Sequence, residues 1–186
     1  FILTPTTYAV VKPYNLVDYF VYIFDLKTDA LINKVQINLN YHYNKDQQII
    51  SSLKTTNSPG CWLEHVDLVT GKVWTTLKFT DASNPICNSY VYDLRITEKG
   101  NPEAVFPFDD YYLILSETYG QITFKTRSAP TVASDSLNIN FDTLSLYYMV
   151  AYPETNQRFT TLYSFDAQLQ KFIIKGATVD NIKVKD

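Results

Sequence analysis

The chain has 186 residues, a formal net charge of −3 at pH 7 and only 19% charged residues. Its sequence contains no cluster of Lys or Arg of the kind that binds a phosphate backbone, so nucleic acid is excluded as a partner. The length suits one core, and we therefore expect a single domain over residues 1–186.

The first half of the chain predicts strands joined by tight turns. Tyr and Phe are abundant, at 15 and 11 residues, and these types suit a pleated, half-buried surface. Residues 34–43 alternate strictly between apolar and polar side chains, which indicates a strand with one face buried. Lys27-Thr28-Asp29 and Thr70-Gly71 each separate two such runs and predict hairpins, and residues 89–96 alternate again.

The second half continues this pattern. Residues 104–117 predict one long strand. A turn at Thr118-Tyr119-Gly120 connects it to a second strand over residues 121–127. Further strands are expected at 137–141, 144–152, 158–165 and 171–184, although 144–152 is apolar throughout and could instead be a helix. About ten strands at this spacing predict an all-β fold, an antiparallel β-sandwich of the jelly-roll or immunoglobulin-like kind.

The two cysteines, Cys61 and Cys87, follow turn-like segments. Two isolated cysteines and two histidines, without a Cys-x-x-Cys pair, do not make a zinc site. A pair of buried thiols is the plain alternative, but a bridge between two loops is easy to close. We therefore expect a Cys61–Cys87 disulfide and, with it, an oxidising compartment.

Neither catalytic residues nor a metal site nor a cofactor site is predicted. His65 and Asp67 lie two apart on a predicted strand and share a face, but with no third ligand nearby a solvated strand face explains them better. The sequence has no Gly-x-Ser-x-Gly elbow, no phosphate-binding loop and no His-Glu-x-x-His motif. Carboxylates on separate strands leave a carbohydrate-active enzyme open as an alternative.

Two tyrosine doublets are the candidate binding residues. Because neighbouring strand residues point to opposite faces, Tyr111-Tyr112 and Tyr147-Tyr148 each place one ring on each face. Aromatic residues in strands usually pack in the core or across strands. A ring that faces outward is either exposed or covered by a partner, and the doublets therefore favour a binding surface on all four tyrosines.

The run Phe106-Pro107-Phe108-Asp109 has a complete structural explanation. Pro107 lacks an N–H group and belongs at the start or the edge of a strand. Phe106 and Phe108 then point the same way as two anchors, and Asp109 can accept backbone N–H groups at the turn. We interpret the run as a structural motif.

This run, within residues 104–111, resembles the Tyr-Pro-Phe-Asp-x-Tyr signature of an uncharacterised family of integral membrane proteins with an extracytoplasmic β-domain. The resemblance implies location and topology but no activity. Phe-Pro-Phe-Asp also resembles a loop in the ligand-binding β-sandwich of pentameric ligand-gated channels. Those channels continue with Gln where this chain has Tyr111, and neither their Trp-x-Pro-Asp motif nor their N-terminal helix is found here.

The sequence therefore predicts a non-enzymatic binding or assembly module that is an extracytoplasmic domain of a membrane-anchored protein. Because the chain begins at Phe1 without Met, we expect anchoring segments to lie outside it. The expected partner is a protein or a glycan at a membrane or particle surface, and a homo-oligomer stays open. A virion or surface-layer jelly-roll protein is the structural alternative, since low charge and many Tyr, Thr and Asn residues suit it equally.

Overall fold

The structure, a computed structural model, describes residues 1–55, 59–126 and 134–183. In these ranges the chain consists of antiparallel β-strands and short turns, with one 3-10 helix at Pro85–Asn88, so the all-β prediction is confirmed. No helix in the same ranges is long and apolar enough to cross a membrane. The chain divides into two compact units, Phe1–Pro107 and Phe108–Asp186, and the single domain over 1–186 stays a prediction.

The strands of the first unit are numbered in chain order. They are β1 Ile2–Leu3, β2 Thr7–Pro13, β3 Asp18–Asp25, β4 Leu31–Asn38, β5 His42–Asn44, β6 Ile49–Thr55, β7 Cys61–Asp67, β8 Val73–Phe79, β9 Asp93–Ile96 and β10 Pro102–Pro107. The strands of the second unit are β11 Tyr111–Ser116, β12 Gly120–Lys125, β13 Ser134–Asn140, β14 Ser145–Tyr152, β15 Gln157–Asp166 and β16 Lys171–Asn181.

The described strands form four antiparallel sheets of four strands, β1 to β4, β5 to β8, β9 to β12 and β13 to β16. Unit 1 contains the first two sheets and the hairpin β9–β10, and unit 2 contains the hairpin β11–β12 and the last sheet. In each sheet the strands follow one another in chain order, as they do in a propeller blade, whereas a jelly roll needs Greek-key crossovers. The sandwich or jelly-roll arrangement stays a prediction.

One type of turn recurs between the strands. An Asp, Asn or Ser side chain at the end of one strand accepts the backbone N–H two or three residues on, and the fourth residue on has a positive φ angle. This is the short turn with one left-handed residue that matches the twist of a hairpin. It occurs at Asp25/Asp29, Asn44/Gln48, Asp67/Gly71, Ser116/Gly120, Asn140/Leu144 and Asp166/Gln170.

The first two sheets share an apolar core within unit 1. Alternate residues of β3 point into it, because Val21 and Ile23 are buried while Tyr22 between them is only partly covered. The core also contains residues of both sheets, namely Ala9, Val35 and Ile37 from the first and Ile50, Val66 and Leu68 from the second. Both sheets therefore contribute side chains to one core.

The predicted disulfide joins Cys61 in β7 to Cys87 in the 3-10 helix, with the two Cα atoms 5.5 Å apart. The bridge spans 26 residues of sequence, and in the chain-entropy model such a loop contributes about 3.5 kcal/mol to stability. Disulfides persist in oxidising compartments, and this one indicates a non-cytoplasmic location.

Several predicted strands have different limits in the structure. Residues 34–43 are divided because the chain leaves β4 after Asn38, and residues 104–117 are divided at the bend that follows Pro107. Of residues 89–96 only the last four form a strand, whereas 144–152 is the strand β14 and not a helix. The described strands number sixteen where about ten were expected.

Candidate functional site

The doublet Tyr147-Tyr148 lies in β14 and divides between the two faces of the last sheet. Tyr147 is 54% exposed, whereas Tyr148 is buried. The hydroxyl of Tyr148 donates a hydrogen bond to Asp135 Oδ2 at 2.9 Å, and burial together with this bond raises the pKa of the phenol. Tyr148 is therefore an uncharged hydrogen-bond donor on the buried face of the sheet.

The doublet Tyr111-Tyr112 lies at the start of β11 in the same unit. Tyr112 is buried and pairs across the hairpin with Phe124, whose ring is also 5.3 Å from that of Tyr148. Tyr111 is half-buried and stacks on Phe108 with the ring centroids 4.6 Å apart. Phe124 thus connects the two buried tyrosines, while a binding role for all four stays a prediction.

The Phe106-Pro107-Phe108-Asp109 run spans the end of β10 and the bend that follows it. Phe106 is fully buried, Pro107 is the last residue of β10, and Phe108 makes the stack with Tyr111. The bend is closed by the Phe108 N–H, which donates to the Tyr111 carbonyl oxygen at 2.9 Å, and Asp109 is exposed. The run therefore lies at a strand end, where a residue without an N–H group is tolerated.

Unit 2 contains a mainly apolar groove of about 480 Å³ on one face of β14, β15 and β16. Its floor is made by cross-strand rows, which the register of the sheet defines. One row joins Val150, Phe159 and Val179, and a second row joins Ile174 and Tyr163 and continues beyond the groove to Leu146. Between them, Tyr148 pairs with Thr161. The groove is therefore built from side chains that alternate along each strand.

Exposure rises along these rows from the inner strands to the outer one. Val150 and Leu146 in β14 are buried, Phe159 in β15 is 38% exposed, and Ile174 and Val179 in β16 are 53% and 56% exposed. The side chains of these rows are apolar in all three strands. The apolar face that is buried at β14 is therefore partly exposed to solvent at β15 and β16. Contiguous apolar surface of this kind usually marks an interaction site.

The outer strand β16 is also the edge of its sheet in the described part of the chain. Strand β16 runs for eleven residues and pairs with β15 on one side, so alternate backbone N–H and C=O groups point outward on the other. Arg158 and Asp180 form an ion pair across β15 and β16, with Nε 2.9 Å from Oδ1. The other charged residues of β16 are Lys171 and Lys175, and Asp166 in β15 is the cross-strand partner of Lys171.

His65 does not lie on a solvated face, and that prediction is wrong. It is fully buried between two hydroxyl groups, with Nδ1 2.7 Å from Ser51 Oγ and Nε2 2.7 Å from Thr76 Oγ1. Burial lowers its pKa to about 4, so the imidazole is neutral at pH 7. Strand β7 is a central strand of its sheet, and this face is covered as well as the other one.

The remaining histidine, His42, is partly buried and lies 3.4 Å from Asp93, from Nε2 to Oδ1. Burial lowers the pKa of His42 and raises that of Asp93, and each partner opposes the shift of the other. In residues 1–55, 59–126 and 134–183, three or more His, Cys, Asp or Glu side chains do not converge on a common point as metal ligands would.

Comparison with known proteins adds little to this geometry. No protein-family model matches the chain, and no curated protein matches it. Among solved structures, the chain is similar to Hsv2 of Kluyvelomyces marxianus, with 12% identity and a TM-score of 0.39 over 98% of this chain and 70% of that one. A TM-score this low does not establish a shared fold.

Proposed function

We propose that the chain is a non-enzymatic, extracytoplasmic binding module that holds an extended, apolar segment of a partner protein along β16. The observation that supports this is the apolar face of the last sheet, which stays partly exposed as far as β16, the outer strand of that sheet in the described residues. An edge strand beside an apolar groove is the surface used in recognition by strand addition.

The backbone and the side chains of such a segment would be bound by different parts of this surface. The outward N–H and C=O groups of β16 would pair with the backbone of the segment, as a neighbouring strand would. Every second side chain of the segment would then point toward the groove face, beside Ile174 and Val179. This arrangement selects apolar residues at alternate positions.

The charge of the edge favours an acidic partner. Lys171 and Lys175 lie in β16, and Lys183 follows it, whereas Asp180 is neutralised by Arg158. An added strand with Asp or Glu at the positions that face away from the groove would complement these lysines. Charge of this kind contributes to orientation and to the rate of association.

The experiment is selection of a phage-displayed library of random linear peptides on the purified chain, the V179K variant and the L169K variant. Val179 lies in the groove, whereas Leu169 is 58% exposed in the β15–β16 turn, so the second variant adds the same charge outside the groove. We expect acidic peptides with alternating apolar residues to be enriched on the original chain and on L169K but not on V179K. Equal enrichment on both variants, or none on the original chain, would refute the proposal.

Sandwich packing is proposed for unit 1, where the first two sheets share one core. A jelly roll receives less support, because the described strand orders follow the chain and contain no Greek-key crossover. Amide hydrogen exchange should therefore protect Val21 and Val66 to the same extent, because one core holds both sheets. Much faster exchange in one sheet than in the other would contradict this packing.

Membrane anchoring is part of the proposal and is supported by the resemblance of residues 104–111, while the Cys61–Cys87 bridge supports the compartment. The test is alkaline carbonate extraction of the native, full-length protein from its source cells. Retention in the membrane pellet would support anchoring, whereas release into the supernatant would favour the secreted or particle-forming alternative.

A further inference from the structure

Unit 1 contains a second cavity, a cleft of about 640 Å³ that is more polar than the groove of unit 2. It lies where β4 of the first sheet meets β6 and β7 of the second, beyond the apolar core that these sheets share. Two bonds from a side chain to a backbone carbonyl join the sheets beside it: Asn38 donates its amide N–H to the Leu53 carbonyl oxygen, and Lys54 Nζ donates to the Gln36 carbonyl oxygen at 2.5 Å.

Two aromatic side chains line this cleft, Trp62 and Tyr90, and both are close in sequence to the disulfide. Trp62 directly follows Cys61, and Tyr90 comes three residues after Cys87. Trp62 also lies at a β-bulge, where the pairing of β7 with β8 shifts register, and bulges commonly redirect a side chain beside a binding site. Two aromatic rings therefore line one cavity beside a covalent bridge and a bulge.

The polar lining offers hydrogen bonds without a free positive charge. Gln36, Asn38 and Asn40 contribute side-chain amides, each of which both donates and accepts hydrogen bonds. Among the described residues that line the cleft, Lys54 is the one cation, and it is 3.7 Å from Glu64 Oε1 as well as bonded to Gln36. A phosphate, sulfate or carboxylate ligand would therefore meet no unengaged positive partner.

We infer that this cleft binds a neutral, hydroxyl-rich ligand, a carbohydrate. The C–H faces of a sugar ring would pack against Trp62 and Tyr90, and its hydroxyl groups would exchange hydrogen bonds with the amides of Gln36, Asn38 and Asn40. A purely apolar ligand would leave those amides without partners, which is costly. The site lies in unit 1 and is independent of the peptide-binding surface proposed for unit 2.

The test uses the fluorescence of Trp62. The chain has two tryptophans, so the W74F variant leaves Trp62 as the sole reporter beside the cleft. Full-length W74F protein is titrated with neutral oligosaccharides and, in parallel, with sialylated and sulfated ones. The same titrations are made after Y90A and after the matched Y119A, because Tyr90 and Tyr119 are 42% and 41% exposed and, of the two, only Tyr90 lines the cleft. A thermal melt establishes that each variant is folded.

We expect a neutral oligosaccharide to change the emission saturably, with affinity about tenfold weaker in Y90A and unchanged in Y119A. If Y90A does not fold, N40A replaces it. Asn40 is exposed and lines the cleft, so we expect N40A to weaken binding as well. Binding of charged glycans alone, an equal affinity in Y90A, a loss in Y119A instead, or no saturable change with any glycan would each overturn the inference.

Discussion

Acidification from pH 7 to pH 4 should destabilise the chain through one buried histidine. His65 is neutral, fully buried and bonded through its two ring nitrogens to Ser51 and Thr76. Proton uptake would create a charge there with hydroxyl groups as its only hydrogen-bonding partners, and a buried charge needs a counter-ion to be tolerated. The pKa of His65 is about 4 in the folded chain, against an ordinary value of 6.5.

Because this pKa is lowered on folding, the free energy of unfolding should fall as the pH falls. The unfolded chain takes up a proton near pH 6.5 and the folded chain only near pH 4, so the unfolded state binds more protons between these values. Stability is therefore complete above pH 7, declines as the pH falls through 6.5, and stops declining below about 4. A difference of about 2.5 pKa units corresponds to roughly 3 kcal/mol, because one unit is worth about 1.4 kcal/mol.

Urea unfolding at several pH values between 7 and 4 measures this loss. Carboxylates titrate in the same range, so the informative quantity is the difference in unfolding free energy between the original chain and H65Q. That difference should shrink by roughly 3 kcal/mol from pH 7 to pH 4, because the variant has no proton to take up at this position. An H42Q background removes the contribution of the other histidine, whose pKa is also lowered by burial. A difference that stays constant with pH would refute the buried, neutral state of His65.

Three further predictions concern stability measured by urea unfolding at pH 7. Replacing Cys61 and Cys87 together by Ser should cost about 3.5 kcal/mol, and an unchanged midpoint would mean that the bridge does not form in the native protein. Gly60→Ala should cost about 1–3 kcal/mol, because Gly60 has a φ of 124° and the new Cβ would lie 2.0 Å from a β8 carbonyl oxygen. In the control Gly176→Ala, the new Cβ meets no described atom within 4 Å. Ser52→Ala should raise stability by about 1 kcal/mol, because this buried hydroxyl has no hydrogen-bond partner among the described residues; a loss of similar size would reveal one.

The turn chemistry of the sequence predicted hairpins well. Both Lys27-Thr28-Asp29 and Thr70-Gly71 lie in the recurring turn, where Asp25 and Asp67 cap the backbone. These signals are local, because an Asp side chain and a residue that tolerates a positive φ angle act within five residues of each other. Local signals of this kind can be read without knowing which strands pair.

Strands covered on both faces were harder to predict. Strand β6 was not expected, because Ile49, Ile50, Ser51, Ser52 and Leu53 show no alternation. All five are buried, so the two faces of the strand meet the same environment and no period of two is required. Such a run cannot be assigned by periodicity.

The same physical reason explains the error at His65. Alternation predicted that a strand has one dry and one wet face, but β7 lies between β6 and β8, and His65 pairs across the sheet with Ser51 and with Trp74. The hydroxyl groups that accommodate the histidine come from other strands. Their positions depend on register, which a single sequence does not contain.

The candidate sites depend on register in the same way. Tyr147 and Tyr148 divide between the two faces as alternation requires, but the groove also needs Phe159 and Val179 in the same row. A bulge between Leu162 and Tyr163 determines which residues of β16 complete the floor. Bulges insert one residue without a strong sequence signal, so the groove could not be predicted from the chain alone.

The chain order of the strands has a consequence for how the protein folds. Each strand within a sheet pairs with the strand before or after it, so the contacts that define a sheet are close in sequence. Low sequence separation favours fast folding, and each sheet can form soon after its own residues leave the ribosome. Cys61 and Cys87 both precede unit 2, so oxidation can secure the first unit while the second is still being synthesised.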